Sequence, residues 1–243
     1  MKKIITILTT FLLLFNTGVS QDAETILKLS DSVTYAPDDQ VNEVRMVLTD
    51  KKDRKQERSA VGLQMGTDYR LFRFTAPASQ EGIAFLSLPD DVMYLYLPAY
   101  NKARRIASHI KNQGFAGTDL TYEDMEAVPM HEKYDPTLIE ENEKGYLLEL
   151  VPKPERKSDY SKMVTLVDKE NYMILQSDYY DKGGNKVKVM KNDEIKNIDG
   201  FWIITDLTMT DLKKNHSTRM IFDNVRVNTG LTEDDFSVRK LTR

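Results

Sequence analysis

The chain contains no cysteine, only three histidines and a single tryptophan. Without cysteine there is no disulfide framework and no thiolate metal site, and a cysteine nucleophile is excluded. So is the acylated cysteine that directly follows the export signal of a bacterial lipoprotein. The motifs that usually announce catalysis are missing too: no Gly-x-Ser-x-Gly elbow, no phosphate loop, no dinucleotide fingerprint and no His-Glu-x-x-His. His109, His131 and His216 are far apart, and none has a carboxylate at ligand spacing, so each reads as a loop or strand-face residue. No metal and no cofactor is therefore expected. Beyond the N-terminus no segment is apolar enough to span a bilayer, and no repeat or domain linker is visible. A formal charge of −4 with both signs interspersed argues against nucleic-acid binding through counterion release.

What the chain does have begins at its first residues. Lys2 and Lys3 precede a mostly apolar stretch from Ile4 to Phe15, and small residues follow at Gly18 and Ser20. This is the pattern of a secretory signal peptide cleaved after Ser20, and the apolar stretch is too short for a transmembrane anchor. Residues 1–20 are thus expected to be removed, and residues 21–243 to form one β-rich domain in the periplasm, not lipid-anchored. Cleavage would take away the positive charges of Lys2 and Lys3 and leave a soluble, mildly acidic chain.

Ile26, Leu29 and Val33 recur at helical spacing over 22–33. After Pro37 the rhythm shortens to alternating runs, at 44–48, 56–65, 68–75, 83–88, 92–97 and 102–107. Residues 111–118, with Gly114 and Gly117, read as a loop, and Thr121 as the N-cap of a short helix that Pro129 ends. Strand patterns resume over 132–141, 145–151, 163–167, 172–180, 186–198, 201–211 and 217–227. The glycines of Asp181-Lys182-Gly183-Gly184-Asn185 mark a hairpin turn. A mainly β (α+β) fold follows: one antiparallel sheet of roughly ten strands, which must curl or close at that size, with helices over its open face.

Two populations of side chains are candidates for a site. The large apolar ones, Phe72, Phe74, Phe85, Tyr94, Tyr96 and Trp202, suit either a packed core or the lining of a carrier cavity, since both are apolar. The polar ones are the acids Asp119, Glu123, Asp124 and Glu126, and the doublet Arg104-Arg105. The acids fit a helix start better than a cation loop. The arginines suit a phosphate or carboxylate head group, or partnership with Asp119 or Asp124. As strand neighbours they should point to opposite faces.

Three stretches then carry a resemblance. They are Asp91-Val92-Met93-Tyr94-Leu95-Tyr96-Leu97-Pro98-Ala99 running into Lys102-Ala103-Arg104-Arg105-Ile106; Gly114-Phe115-Ala116-Gly117-Thr118-Asp119-Leu120-Thr121-Tyr122-Glu123-Asp124-Met125; and Phe236-Ser237-Val238-Arg239-Lys240-Leu241. In order and spacing they resemble the outer-membrane lipoprotein-sorting family, a larger branch of the LolA-like carriers. The resemblance implies a half-open β-barrel of the LolA/LolB type with an apolar concave face covered by helices. It gives Arg104, Arg105, Phe115, Gly117, Thr118, Asp119, Tyr122 and Asp124 a structural or head-group role. It also implies a periplasmic, non-enzymatic carrier of a lipid or of lipoprotein acyl chains, destined for the outer membrane. Partnership with an inner-membrane exporter of the resistance-nodulation-division type goes with it. The alternatives are a non-catalytic accessory subunit of an envelope exporter and, further off, a hydrolase built on the acidic cluster.

Overall fold

The structure, a computed structural model, describes residues 22–242; the expected export signal and its cleavage point lie outside the described residues. Helix α1 (Ala23–Thr34) opens it, with the Asp22 side chain accepting from the Thr25 N–H at 2.7 Å, as an N-cap should. Ile26 and Leu27 are fully buried, whereas Leu29 and Val33 are only half-buried, so the inward face lies slightly off the expected stripe.

Thirteen strands follow: β1 (Asp39–Thr49), β2 (Lys55–Met65), β3 (Tyr69–Ala76), β4 (Ala84–Leu88), β5 (Val92–Leu97), β6 (Lys102–Arg105), β7 (Tyr134–Asn142), β8 (Gly145–Pro152), β9 (Tyr160–Val167), β10 (Ile174–Asp181), β11 (Lys186–Ile198), β12 (Phe201–Asp211) and β13 (His216–Val227). They form one antiparallel sheet in the order β6-β5-β4-β3-β2-β1-β13-β12-β11-β10-β9-β8-β7. Two meanders therefore meet where β1 pairs with β13, Val44 opposite Phe222 and Met46 opposite Met220. The outer edges, β6 and β7, do not pair, and the sheet stays open. Residues 106–133 carry the chain from one edge to the other and end in a single helical turn, α2 (Met130–Lys133).

Strand alternation sorts the side chains. Val44, Met46, Leu48, Ala60, Phe72, Phe74, Phe85 and Met93 face one side and join Ile26 and Leu27 of α1 in the main core. Leu71, Ala84, Leu86 and Tyr96 face the other side and are covered by Phe236 and Leu241. These last two belong to a short 3-10 turn and to α3 (Val238–Leu241). Thus α1 covers the concave face as expected, but the C-terminal helix packs on the convex one. No helix among the described residues is long and apolar enough to cross a membrane.

The expected helix over 121–128 does not form. The Thr121 N–H donates to Asp124 Oδ2 at 2.8 Å and the Asp124 N–H to Thr121 Oγ1 at 3.1 Å, so the capping chemistry is present. It closes one turn only, and residues 126–129 do not continue it. The helical turn comes later, at Met130, and delays the following strand to Tyr134.

Gly145 begins β8 where it meets β9, and a Cβ placed there would overlap the Val167 carbonyl oxygen. Gly145→Ala is expected to push the two strands apart and to destabilise by about 1–3 kcal/mol. A lowered midpoint in urea unfolding at unchanged slope would verify this.

Candidate functional site

An open sheet has no second sheet to bury its inner face, so that face must be covered from elsewhere in the chain. Here the crossing segment does it. Ala116 and Gly117 take positive φ in succession, and the Thr118 N–H closes the turn on the Phe115 carbonyl at 2.9 Å. The Phe115 N–H donates to the Leu120 carbonyl at 2.8 Å, which makes a small hairpin that lies inside the sheet's curve. From it the Phe115 ring reaches the rings of Phe72, Phe74 and Phe85, at centroid distances of 5.8, 5.6 and 5.9 Å. Tyr122 packs on Phe85 and Phe115.

Polar contacts fix the hairpin to both halves of the sheet. Arg58 on β2 donates to the Ala116 carbonyl at 2.6 Å, and Arg70 on β3 to that of Met125 at 3.2 Å. Asp119, buried, meets His216 Nδ1 at 2.6 Å and accepts from Thr218 Oγ1 at 2.7 Å, both on β13. Lys188 on β11 donates to the Asp119 carbonyl at 2.8 Å and lies 3.5 Å from Asp124. The far end docks on α1, where the Asp31 carboxylate accepts the N–H groups of Met130 and His131, each at 2.8 Å.

A second group of charges clamps the same segment at its flank. Glu126, 2% exposed at its side chain, lies 3.2 Å from Lys111, 3.4 Å from Lys133 and 3.3 Å from Arg156. Asp91, at the β4–β5 turn, shares Lys111 with it. These groups line a small polar cavity of about 160 Å³. Burial alone would raise Glu126, but the Asp91 hydrogen bond and the three cations outweigh it and hold its carboxyl at about 2. Asp91 moves the opposite way, raised by burial and by the neighbouring Glu126. Burial also raises Glu123, against its Ser158 bond and Lys133.

Among the spaces that the hairpin leaves unfilled is a cavity of about 260 Å³ on the concave face. Its apolar wall includes Phe72, Leu120, Met125, Met173, Met190, Met220 and Phe222, and Trp202 stands at its edge. Four methionines around it give it an adaptable lining, because the unbranched thioether side chain fills irregular space at little cost.

The candidate residues fall into five places. Phe72, Phe74 and Phe85 are buried beneath Phe115, and only Phe72 reaches the cavity. Tyr94 and Tyr96 lie on the convex face against Leu86 and Ala84, because Met93 and Leu95 take the concave side. Trp202 is at the cavity, 38% exposed. Phe115, Gly117, Thr118, Asp119, Tyr122 and Asp124 come together as the covering hairpin. Arg104 and Arg105 do not join them: both are exposed on β6, Arg104 over the Tyr100 ring, while Asp119 and Asp124 are held by His216, Thr218 and Lys188. The reading of the doublet as their partner is thus corrected. His131 and His216 do have carboxylate partners in space, Asp31 and Asp119, each about a hundred residues away and so invisible to spacing. Lys111, Lys133 and Arg156 also escaped notice, since their shared partner Glu126 is no neighbour of theirs on a helix face or strand ladder. Among the described residues no His, Asp and Glu cluster could hold a metal ion.

An open antiparallel sheet with an apolar, internally covered concave face defines the LolA-like fold. A DUF1329 family protein from Desulfovibrio piger superposes with a TM-score of 0.83 at 27% identity, covering 91% of this chain and 100% of the other. A domain described as an outer membrane lipoprotein-sorting protein, from Vibrio parahaemolyticus, gives 0.83 at 27%, over 91% and 98%. A LolA superfamily protein from Nitrosomonas europaea shares the fold at a TM-score of 0.76 and 19% identity, over 91% and 100%. No curated protein matches the sequence. A family model described as an uncharacterized protein matches residues 66–243, and the chain belongs to that family.

Two outcomes follow from the covering segment. Phe115→Ala removes the ring that four others contact and is expected to cost about 3–5 kcal/mol. Amide exchange over 111–128 should quicken with it, and unchanged exchange there would contradict the anchoring role. For Glu126, a carboxyl lowered in the folded state contributes stability above the ordinary value of 4.5, lost as the pH falls towards 2. The raised Asp91 has the opposite sign and offsets part of that loss. Glu126→Gln leaves Lys111 and Lys133 without their shared carboxylate and should cost about 3–5 kcal/mol at neutral pH. It should also flatten the loss of stability between pH 4.5 and 2, read from urea midpoints against pH.

Proposed function

We propose that this protein is a non-enzymatic carrier of the cell envelope that shelters acyl chains, of a lipid or of a lipoprotein, on its concave face. The observation that carries this reading is the methionine-lined cavity of about 260 Å³ left between the sheet and its covering hairpin. The fold shared with lipoprotein-sorting and LolA superfamily structures supports it, as does the export signal read at residues 1–20. Periplasmic location, release by cleavage after Ser20 and transfer towards the outer membrane belong to the same proposal.

The size of the cavity says how loading works. It lies just below the ~300 Å³ at which pockets for whole small molecules begin, so a long acyl chain enters only as the hairpin withdraws. Each methylene buried contributes about 0.8 kcal/mol, enough over a chain to replace the contacts that Phe115 gives up. Because the hairpin and the cargo compete for one surface, the hairpin returns when cargo leaves. That exchange suits a shuttle, which must release what it binds. An inner-membrane exporter of the resistance-nodulation-division type is the proposed partner at the loading side. In the accessory-subunit alternative the concave face stays filled and only the outer surface acts; the adaptable cavity favours the carrier.

The test is chemical extraction of the protein purified from its native cell, followed by mass spectrometry, together with displacement of a fluorescent acyl probe. Co-extracted acyl species and saturable displacement are expected. Absence of both would overturn the carrier.

A further inference from the structure

Thr34, Gln64, Arg70 and Asp124 also line the cavity and find partners within the protein, but one lining side chain carries a buried polar atom that the protein does not satisfy. Asn42 on β1 is 8% exposed and lines the cavity, while its Oδ1, buried and turned towards β2, has no hydrogen-bond partner. Directly across the ladder stands Gly62 on β2. A Cβ at Gly62 would come within 2.5 Å of Asn42 Oδ1, so only glycine allows the amide to lie flat against the neighbouring strand. Glycine in the interior of a strand weakens it, and a buried amide oxygen without a partner costs stability as well. Two unfavourable choices face each other at one point of the groove. Asn192, the other buried asparagine with an unpaired oxygen, spends its Nδ2 on the Ile174 carbonyl at 2.6 Å and so ties two strands together. Asn42 ties nothing in this way.

A carboxamide offers one acceptor and two donors in a plane, and a half-turn about χ2 exchanges its edges. Its complement is a group with both an N–H and a carbonyl. An ester brings the carbonyl alone and a hydrocarbon neither. We infer that the groove selects amphiphiles whose acyl chain is joined through an amide, with Asn42 pairing to that amide and the methionine wall taking the chain. This rests on the carrier reading and names the class of its cargo. The same chemistry occurs in an N-acylated polypeptide and in a small amide-linked lipid.

Trp202, the single tryptophan, stands at the edge of the cavity and serves as the reporter. Its fluorescence is titrated with three bromine-labelled probes of equal chain length: the N-methyl amide of dibrominated stearic acid, its methyl ester, and dibromo-octadecane. All three should quench, with the amide binding roughly tenfold more tightly than the ester, the difference of about one buried hydrogen bond. Asn42→Leu should abolish that preference while still binding all three, and its thermal unfolding midpoint should rise, since an unpaired polar group has been replaced by an apolar one. Gly62→Ala, which displaces the amide without removing it, should reduce the preference in the same direction and provides the readout if Asn42→Leu fails to fold. Equal affinity of the native protein for amide and ester, or a preference that survives in both variants, overturns the inference and leaves the carrier standing. Absence of quenching by any probe overturns the carrier itself. Mass spectrometry of the native extract separates the two sources, by an acylated peptide in one case and a low-mass amide lipid in the other.

Discussion

Phe115 sits among Phe72, Phe74 and Phe85, and through it a hairpin from the chain's own middle covers a face that no second sheet covers. The need for such a cover comes from topology. With β6 and β7 at opposite edges of one sheet, the inner faces of both meanders turn towards each other across open space. Aliphatic and aromatic side chains at Val44, Met46, Phe74 and Phe85 have to be shielded from water; α1 shields part of this face, and the stretch that must travel from edge to edge anyway shields much of the rest. Connection and lid are therefore the same residues.

The cover is held by two kinds of contact with different physics. Ring packing around Phe115 is non-directional and falls off gradually as the hairpin shifts. The bonds that Arg58, Arg70 and Lys188 donate to carbonyls of the covering segment, and those that the Asp119 carboxylate makes with His216 and accepts from Thr218, are directional and are lost together once geometry fails. They attach to β2, β3, β11 and β13, on both meanders, so the hairpin also braces the open sheet against spreading. The charged clamp at Glu126 sits to one side of this, joining the segment's two ends to the β4–β5 turn and to Arg156 beyond β8.

Strand positions were legible because alternation is local. The runs at 56–65, 186–198 and 201–211 match β2, β11 and β12 closely, and the turn at Asp181–Asn185 closes through the Asp181 side chain as its residues suggest. The hairpin motif from Gly114 to Asp124 was visible as a motif, but its insertion into the core was not, since nothing in Phe115 itself tells a lid from a loop. Tyr94 and Tyr96 were misplaced by the same alternation that found their strand: parity assigns them a common face without saying which one. What stayed hidden altogether were pairs closed by topology. Asp31 with His131 and Asp119 with His216 are about a hundred residues apart, and only the meeting of two meanders at β1 and β13 brings the second pair within reach.

The two faces of the sheet differ in how completely they are finished. On the convex side Phe236 and Leu241 close over Leu71, Ala84, Leu86 and Tyr96, and the Arg73 guanidinium donates to the Lys240 carbonyl at 2.6 Å to fasten the cover. On the concave side the cover stops short, four methionines line what is left, and Asn42 faces it across from a glycine. A sequence under pressure for stability alone would fill that space with a branched side chain and put an apolar residue at Asn42, since cavities and unpaired amides both cost free energy. The same chain solves the packing problem on one face and leaves it open on the other. Local rules broken together at one place, without a structural gain, are what a binding surface looks like when its partner is not part of the chain.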